Sequence, residues 1–190
     1  MTSNDSRADQ VRSDTLRWLE RAVIGLNLCP FAKSVYVKNQ VHLHVSEATT
    51  QDDLLQVLGE ELNALAASDP DERDTTMLVF SEGLADFLDY NDFLGLADDL
   101  LVDLGFDGVL QIASLHPQYQ FAGTTLDDVT NHTNQSPYPT LHLLREASID
   151  RAVEAFPEAE TIYERNMELM RRLGEAGWRE LDVGAHGGEA

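Results

Sequence analysis

The sequence holds a single cysteine, Cys29, and only two lysines, Lys33 and Lys38, among 190 residues. One thiol excludes an internal disulfide framework and any multi-cysteine zinc site, and it fits a reducing compartment. Long apolar runs are missing too. The stretch 22–32 is broken by Asn27 and Pro30 and is too short to cross a bilayer. The polar start, residues 1–14, lacks the apolar core of a secretory signal, so a cytoplasmic location is expected. Positive charge is scarce: 13 basic against 34 acidic side chains give a formal net charge of −21 with His neutral. Such a surface repels phosphate backbones and anionic headgroups, so neither nucleic acid nor membrane is an expected partner. A small anion would be drawn in only by a local basic pocket.

What is present reads as one globular domain, with 43% hydrophobic and 25% charged residues. Residues 1–10 are expected to form a disordered arm and 185–190 a disordered tail around a single domain at 11–184. Val11, Thr15, Trp18, Leu19, Ala22, Val23 and Leu26 recur at helical spacing, and Pro30 ends that helix near Leu28. Residues 34–45 alternate valines with polar residues. This predicts one bent strand, or a hairpin turning near Asn39, with His42 and His44 opposite the valines. Thr50, with Asp53 three residues on, caps a helix whose buried stripe is Leu54, Leu58, Leu62 and Leu65. Residues 75–80 read as a short strand. Asp89 is placed to cap the next helix, and Gly105 to stop it. Residues 108–115, apolar on both faces, read as a central strand. After a long polar stretch, 116–139, three helices are expected, at about 140–147, 149–155 and 157–173. The first is read from the spacing of His142, Arg145 and Glu146, and the last is opened by Pro157 and closed by Gly174. The predicted fold class is α/β: a small, mostly parallel sheet of three to four strands flanked by helices, with a helical C-terminal third.

Three blocks concentrate the residues able to carry chemistry: NLCPFAK at 27–33, HPQYQFAG at 116–123 and NQSPYPTLHLLREAS at 134–148. Together they make the chain resemble a mainly bacterial family known as domain of unknown function 1415, over about residues 15–178. The resemblance implies a single domain and brings no reaction with it, so function has to be read from the residues.

His116 is the strongest catalytic candidate, because it follows a strand end, where open α/β sheets bind ligands. Tyr119 and Phe121 would wall the same cleft. Cys29 is the best nucleophile and softest ligand in the chain, with Lys33 nearby to offset the unfavourable field of a helix C-terminus. On a helix at 140–147, His142, Arg145 and Glu146 would share a polar face able to hold an anion and move a proton. Asn131, Asn134 and Ser136 join Tyr119, Arg145 and Lys33 as candidate substrate-binding residues. Metal binding is the other chemistry these residue types allow. His116, His142 and Cys29 are candidate ligands for a divalent transition metal. His42 and His44, two imidazoles on one strand face, are a sparser pair, as are Asp128 and His132 in the loop.

The expectation is therefore an enzyme acting on a small anionic metabolite through a Cys/His/Arg/Glu cleft. The alternatives are a non-catalytic protein that holds a metal, haem or metabolite, and a module that docks on another protein through its SPYP segment.

Overall fold

A computed structural model describes residues 3–155 and 161–186, with side chains from Ser6 onward. Helix α1, Ser3–Trp18, begins inside the segment expected to be an arm and runs directly into a π-helical stretch, Leu19–Ile24. Val11, Trp18, Leu19 and Ala22 are buried, as their spacing predicts. A turn through Asn27 (φ 56°) and Pro30 leads to a short helix α2, Ala32–Val37, and then to strand β1, Val41–Ser46. The predicted strand over 34–45 is thus helix in its first half. The turn falls at Asn39 (φ 58°), a residue type that tolerates the left-handed region.

Thr50 caps α3, Gln51–Ala67. Its Oγ1 accepts from the Asp53 N–H at 3.2 Å and donates to the Asp53 carboxylate at 2.7 Å. Strand β2, Thr75–Phe80, has the bounds expected of it and is buried throughout. Asp86, rather than Asp89, caps α4, Phe87–Asp103, and Gly105 (φ 77°) turns the chain beyond it. Strand β3 is Leu110–Leu115. Within 116–139 there is one 3₁₀ turn, Val129–Thr133. Thr140–Arg145 is strand β4, not a helix, and it leads into α5, Glu146–Ala155. Helix α6, Ile162–Glu180, is kinked at Gly174 (φ 64°) and carries on past it. Pro157, expected to open that helix, and residues 187–190 of the expected tail lie outside the described residues.

The strand order is β1-β2-β4-β3, with β1 parallel to β2 and β4 antiparallel to both of its neighbours. The sheet is therefore mixed, not mostly parallel, because β4 inserts between β2 and β3. The same insertion makes β3 an edge strand rather than a central one. Register fixes the two faces. Leu78, Phe80, Leu141, Leu143 and Leu110 pack against Leu54, Leu58, Leu62, Tyr90 and Phe93 of α3 and α4. Leu43, Met77 and Val79 pack on the other face against Val11, Trp18, Leu19, Ala22 and Met170. Because β1 is a sheet edge, its α3-side face is only half covered. That face carries His42 and His44.

Candidate metal centre

The alternation of β1 sends Leu43 into the core and sets His42 and His44 on the opposite face, toward α3. Glu61 arrives from α3 at a position inside its buried stripe, seven residues after Leu54, three after Leu58 and four before Leu65. A carboxylate buried there needs partners, and three side chains supply them. His44 Nδ1 is 2.8 Å from Glu61 Oε1, His42 Nε2 is 3.9 Å from Glu61 Oε2, and the Arg73 guanidinium forms an ion pair with Oε2. Arg73 is itself held by Thr76 of β2, whose Oγ1 accepts from Arg73 Nε at 2.9 Å.

Burial alone would raise the Glu61 pKa. Hydrogen bonds from His44 and Arg73 outweigh it and bring the group down to about 2. His42 is shifted down, first by partial burial and then by the Arg73 charge, against the pull of Glu61. It therefore favours the neutral form that ligates metals. One nitrogen from each imidazole and one carboxylate oxygen lie within 4.8 Å of one another. Tetrahedral ligands about 2.1 Å from a zinc ion sit roughly 3.4 Å apart, so side-chain adjustments on the order of 1 Å would close the set. The Glu61 side chain is 10% exposed and that of His42 45%, so the group has a fixed inner wall and an open outer side.

The other candidates are dispersed and engaged. His116 is fully buried at the end of β3. Its Nδ1 accepts from the Gln118 N–H at 3.0 Å, its Nε2–H donates to the Leu84 carbonyl at 3.0 Å, and its ring packs against Phe87 and Tyr90. Burial lowers its pKa, so both bonds are those of a neutral ring. Arg145 donates to the carbonyls of Leu65, Ser68 and Arg73, where it closes the C-terminal end of α3. His142, on β4, faces the other side of the sheet beside Met77 and bonds Thr75 Oγ1 at 2.6 Å; burial pushes it down to about 4. Since 140–145 is extended, His142 and Arg145 point to opposite faces and do not form the polar face expected with Glu146. Glu146 opens α5, its backbone N–H bonded to Val109.

The loop residues bind the loop itself. Asn131, fully buried, accepts from Phe121 N–H and Thr124 Oγ1 and donates to the Thr125 carbonyl. The Asn134 carbonyl accepts from His116 N–H, and Ser136 Oγ donates to the Tyr138 carbonyl. Tyr119 stacks at an angle between Phe87 and Phe121. Asp128 caps the 3₁₀ turn, and His132 lies flat on Trp178 with Nε2 2.9 Å from Glu175. Cys29 is half-buried in the turn before α2, which Asn166 of α6 pins through the Leu28 carbonyl. Among the described residues no hydrogen bond joins it to His116 or His142. Lys33 is exposed on α2.

Glu61 and Arg73 are absent from the residues singled out in the sequence. The available signal was a Glu inside an otherwise leucine-lined stripe, facing a strand that carries two histidines.

With the fold and this cluster in hand, comparison gives the chain its family. The family described as "Protein of unknown function (DUF1415)" matches residues 10–180, and the chain belongs to it. Neither the curated proteins nor the solved structures contain a match. Among the described residues no helix is long and apolar enough to cross a membrane.

Proposed function

We propose that this protein binds a divalent transition metal, with His42, His44 and Glu61 as its protein ligands. The observation that carries this reading is the convergence of three donor atoms from two elements within 4.8 Å, one of them on a carboxylate held ionised inside the protein. Two imidazoles and a carboxylate suit zinc or its neighbours in the first transition row, and magnesium and calcium poorly. A metal competes with protons for the imidazole nitrogens and the carboxylate, so binding weakens as pH falls. The strongly negative protein raises the local concentration of cations.

Three protein ligands leave a coordination position for water or another ligand, the arrangement found in catalytic rather than structural zinc sites. This keeps the reading of an enzyme for a small anion within reach, with the chemistry transferred to the metal. The side chains of His116 and Asn131 and one terminal nitrogen of Arg145 are engaged within the fold, which favours the β1 site over a cleft at 116–146.

Isothermal titration with zinc tests the reading. Wild-type protein should take up one ion per chain, and His44→Ala and Glu61→Gln should abolish saturable uptake while the far-ultraviolet circular dichroism is unchanged. Wild-type protein that shows no saturable uptake at neutral pH contradicts it.

A further inference from the structure

Arg73 is fixed more firmly than a side chain that merely neutralises a nearby charge. Its N–H donates to the Asp69 carbonyl at 2.8 Å, its carbonyl accepts from Arg145 at 3.1 Å, and the N–H of the next residue, Asp74, donates to the Gln40 carbonyl at 2.9 Å. The side chain, 15% exposed, is held by one buried hydroxyl: Thr76 Oγ1 accepts from Nε at 2.9 Å and from Nη2 at 2.7 Å. The same Nη2 pairs with Glu61 Oε2, while Oε1 faces His44 Nδ1. Glu61 thus presents two unequal oxygens, one covered by a fixed cation and one turned to an imidazole. A metal ion on Oε2 would lie against the guanidinium charge, whereas an ion on Oε1 is separated from it by the width of the carboxylate.

Building on the metal-binding reading, we infer that Arg73 selects the ion: by covering Oε2 it limits Glu61 to a single metal bond through Oε1, and so restricts the centre to small ions that need few ligands. One bond from each of three side chains, with one water, makes the tetrahedral set of zinc and of cobalt(II). Cadmium accepts the same donor atoms but is larger, and it gains from a carboxylate that binds through both oxygens, as calcium does. Arg73 is a positioning residue, acting on the ion through Glu61.

Removing Arg73 also removes a positive charge, which strengthens every divalent ion alike, so the test on the full chain reads a ratio of affinities. Wild type should bind zinc more tightly than cadmium, and its cobalt(II) form should show the intense visible band of a four-coordinate ion. Arg73→Met should lower the zinc-to-cadmium affinity ratio several-fold and weaken the cobalt band as Glu61 takes up a second bond. Thr76→Val, which keeps the charge and removes its anchor, should do the same to a smaller extent, and it decides alone if Arg73→Met does not fold. An Arg73 that only stabilises the fold would lower the melting temperature and leave ratio and band untouched. Wild-type uptake of zinc and cobalt, with ratio and band unchanged in the variants, overturns the inference and leaves the metal reading intact. Wild type that takes up neither ion removes both.

Discussion

Two regions of this molecule are rich in polar, titratable side chains, and they use them in opposite ways. In the segment 116–146 the main polar side chains turn inward to the fold: His116 bridges Leu84 and Gln118, one terminal nitrogen of Arg145 ties off the end of α3, and Asn131 holds the loop to itself. On the α3-side face of β1, three donor atoms point at one another across a half-open edge, with a single carboxylate shared among two imidazoles and a guanidinium. A density of polar residues therefore does not identify a site. Buried polar groups have to be satisfied, and a long loop without regular structure needs many of them simply to hold its shape. A site is marked by donors that converge where a ligand can still enter.

Four changes would sharpen or break this contrast. The largest expected effect is His116→Ala, which deletes a fully buried ring and leaves two polar partners unmet, at a cost of about 3–4 kcal/mol. Urea denaturation that finds less than about 1 kcal/mol would return His116 to the candidates for function. Next is Arg145→Met, with about 2–3 kcal/mol expected from two carbonyls at the α3 end and that of Arg73 losing a charged donor. If instead a metabolite analogue loses affinity while stability holds, the division between the two regions fails.

Third, Glu61 is held near 2, against an ordinary value of 4.5. Its ionised form contributes stability that is complete above pH 5 or so and is lost as pH falls through 2, on the order of 2 kcal/mol. Glu61→Gln should flatten the acid limb of the pH–stability curve, and an unchanged limb would show that the Glu61 network carries no such energy. The smallest effect on the fold is that of His44→Ala, under about 1 kcal/mol at this half-exposed edge. The same substitution should nonetheless eliminate metal uptake. A melting temperature that drops as far as in the His116 variant would make the β1 cluster structural.

Much of the fold was legible because its signals are local. Thr50 and Asp53 cap α3 as their spacing predicts, Thr75–Phe80 forms a strand with the bounds its apolar end suggests, and the alternation of β1 places His42 and His44 opposite the buried Leu43. The failures share a cause. Residues 140–145, TLHLLR, offer both a helical spacing (His142, Arg145, Glu146) and a strand spacing (Leu141, Leu143). Pairing with β2 and β3, from distant parts of the chain, decides between them. That one decision also determines the mixed sheet, the edge position of β3 and the separation of His142 from Arg145. The Val35-Tyr36-Val37 run favours a strand by propensity, yet it forms the last turn of α2 and leaves the strand to begin after Asn39. The candidate site was half legible: its histidines show in β1, while Glu61 lies in α3 and Arg73 beyond it, and only tertiary packing brings them together.

The central claim is that His42, His44 and Glu61 form a metal site and that the histidines at 116, 132 and 142 do not. The most direct measurement is an anomalous-difference map, collected at the zinc absorption edge from crystals grown with zinc at neutral pH. The account predicts one strong peak bounded by His42 Nε2, His44 Nδ1 and the Glu61 carboxylate. A map with no peak there, or with its strongest peak at His116, His132 or His142, would contradict it.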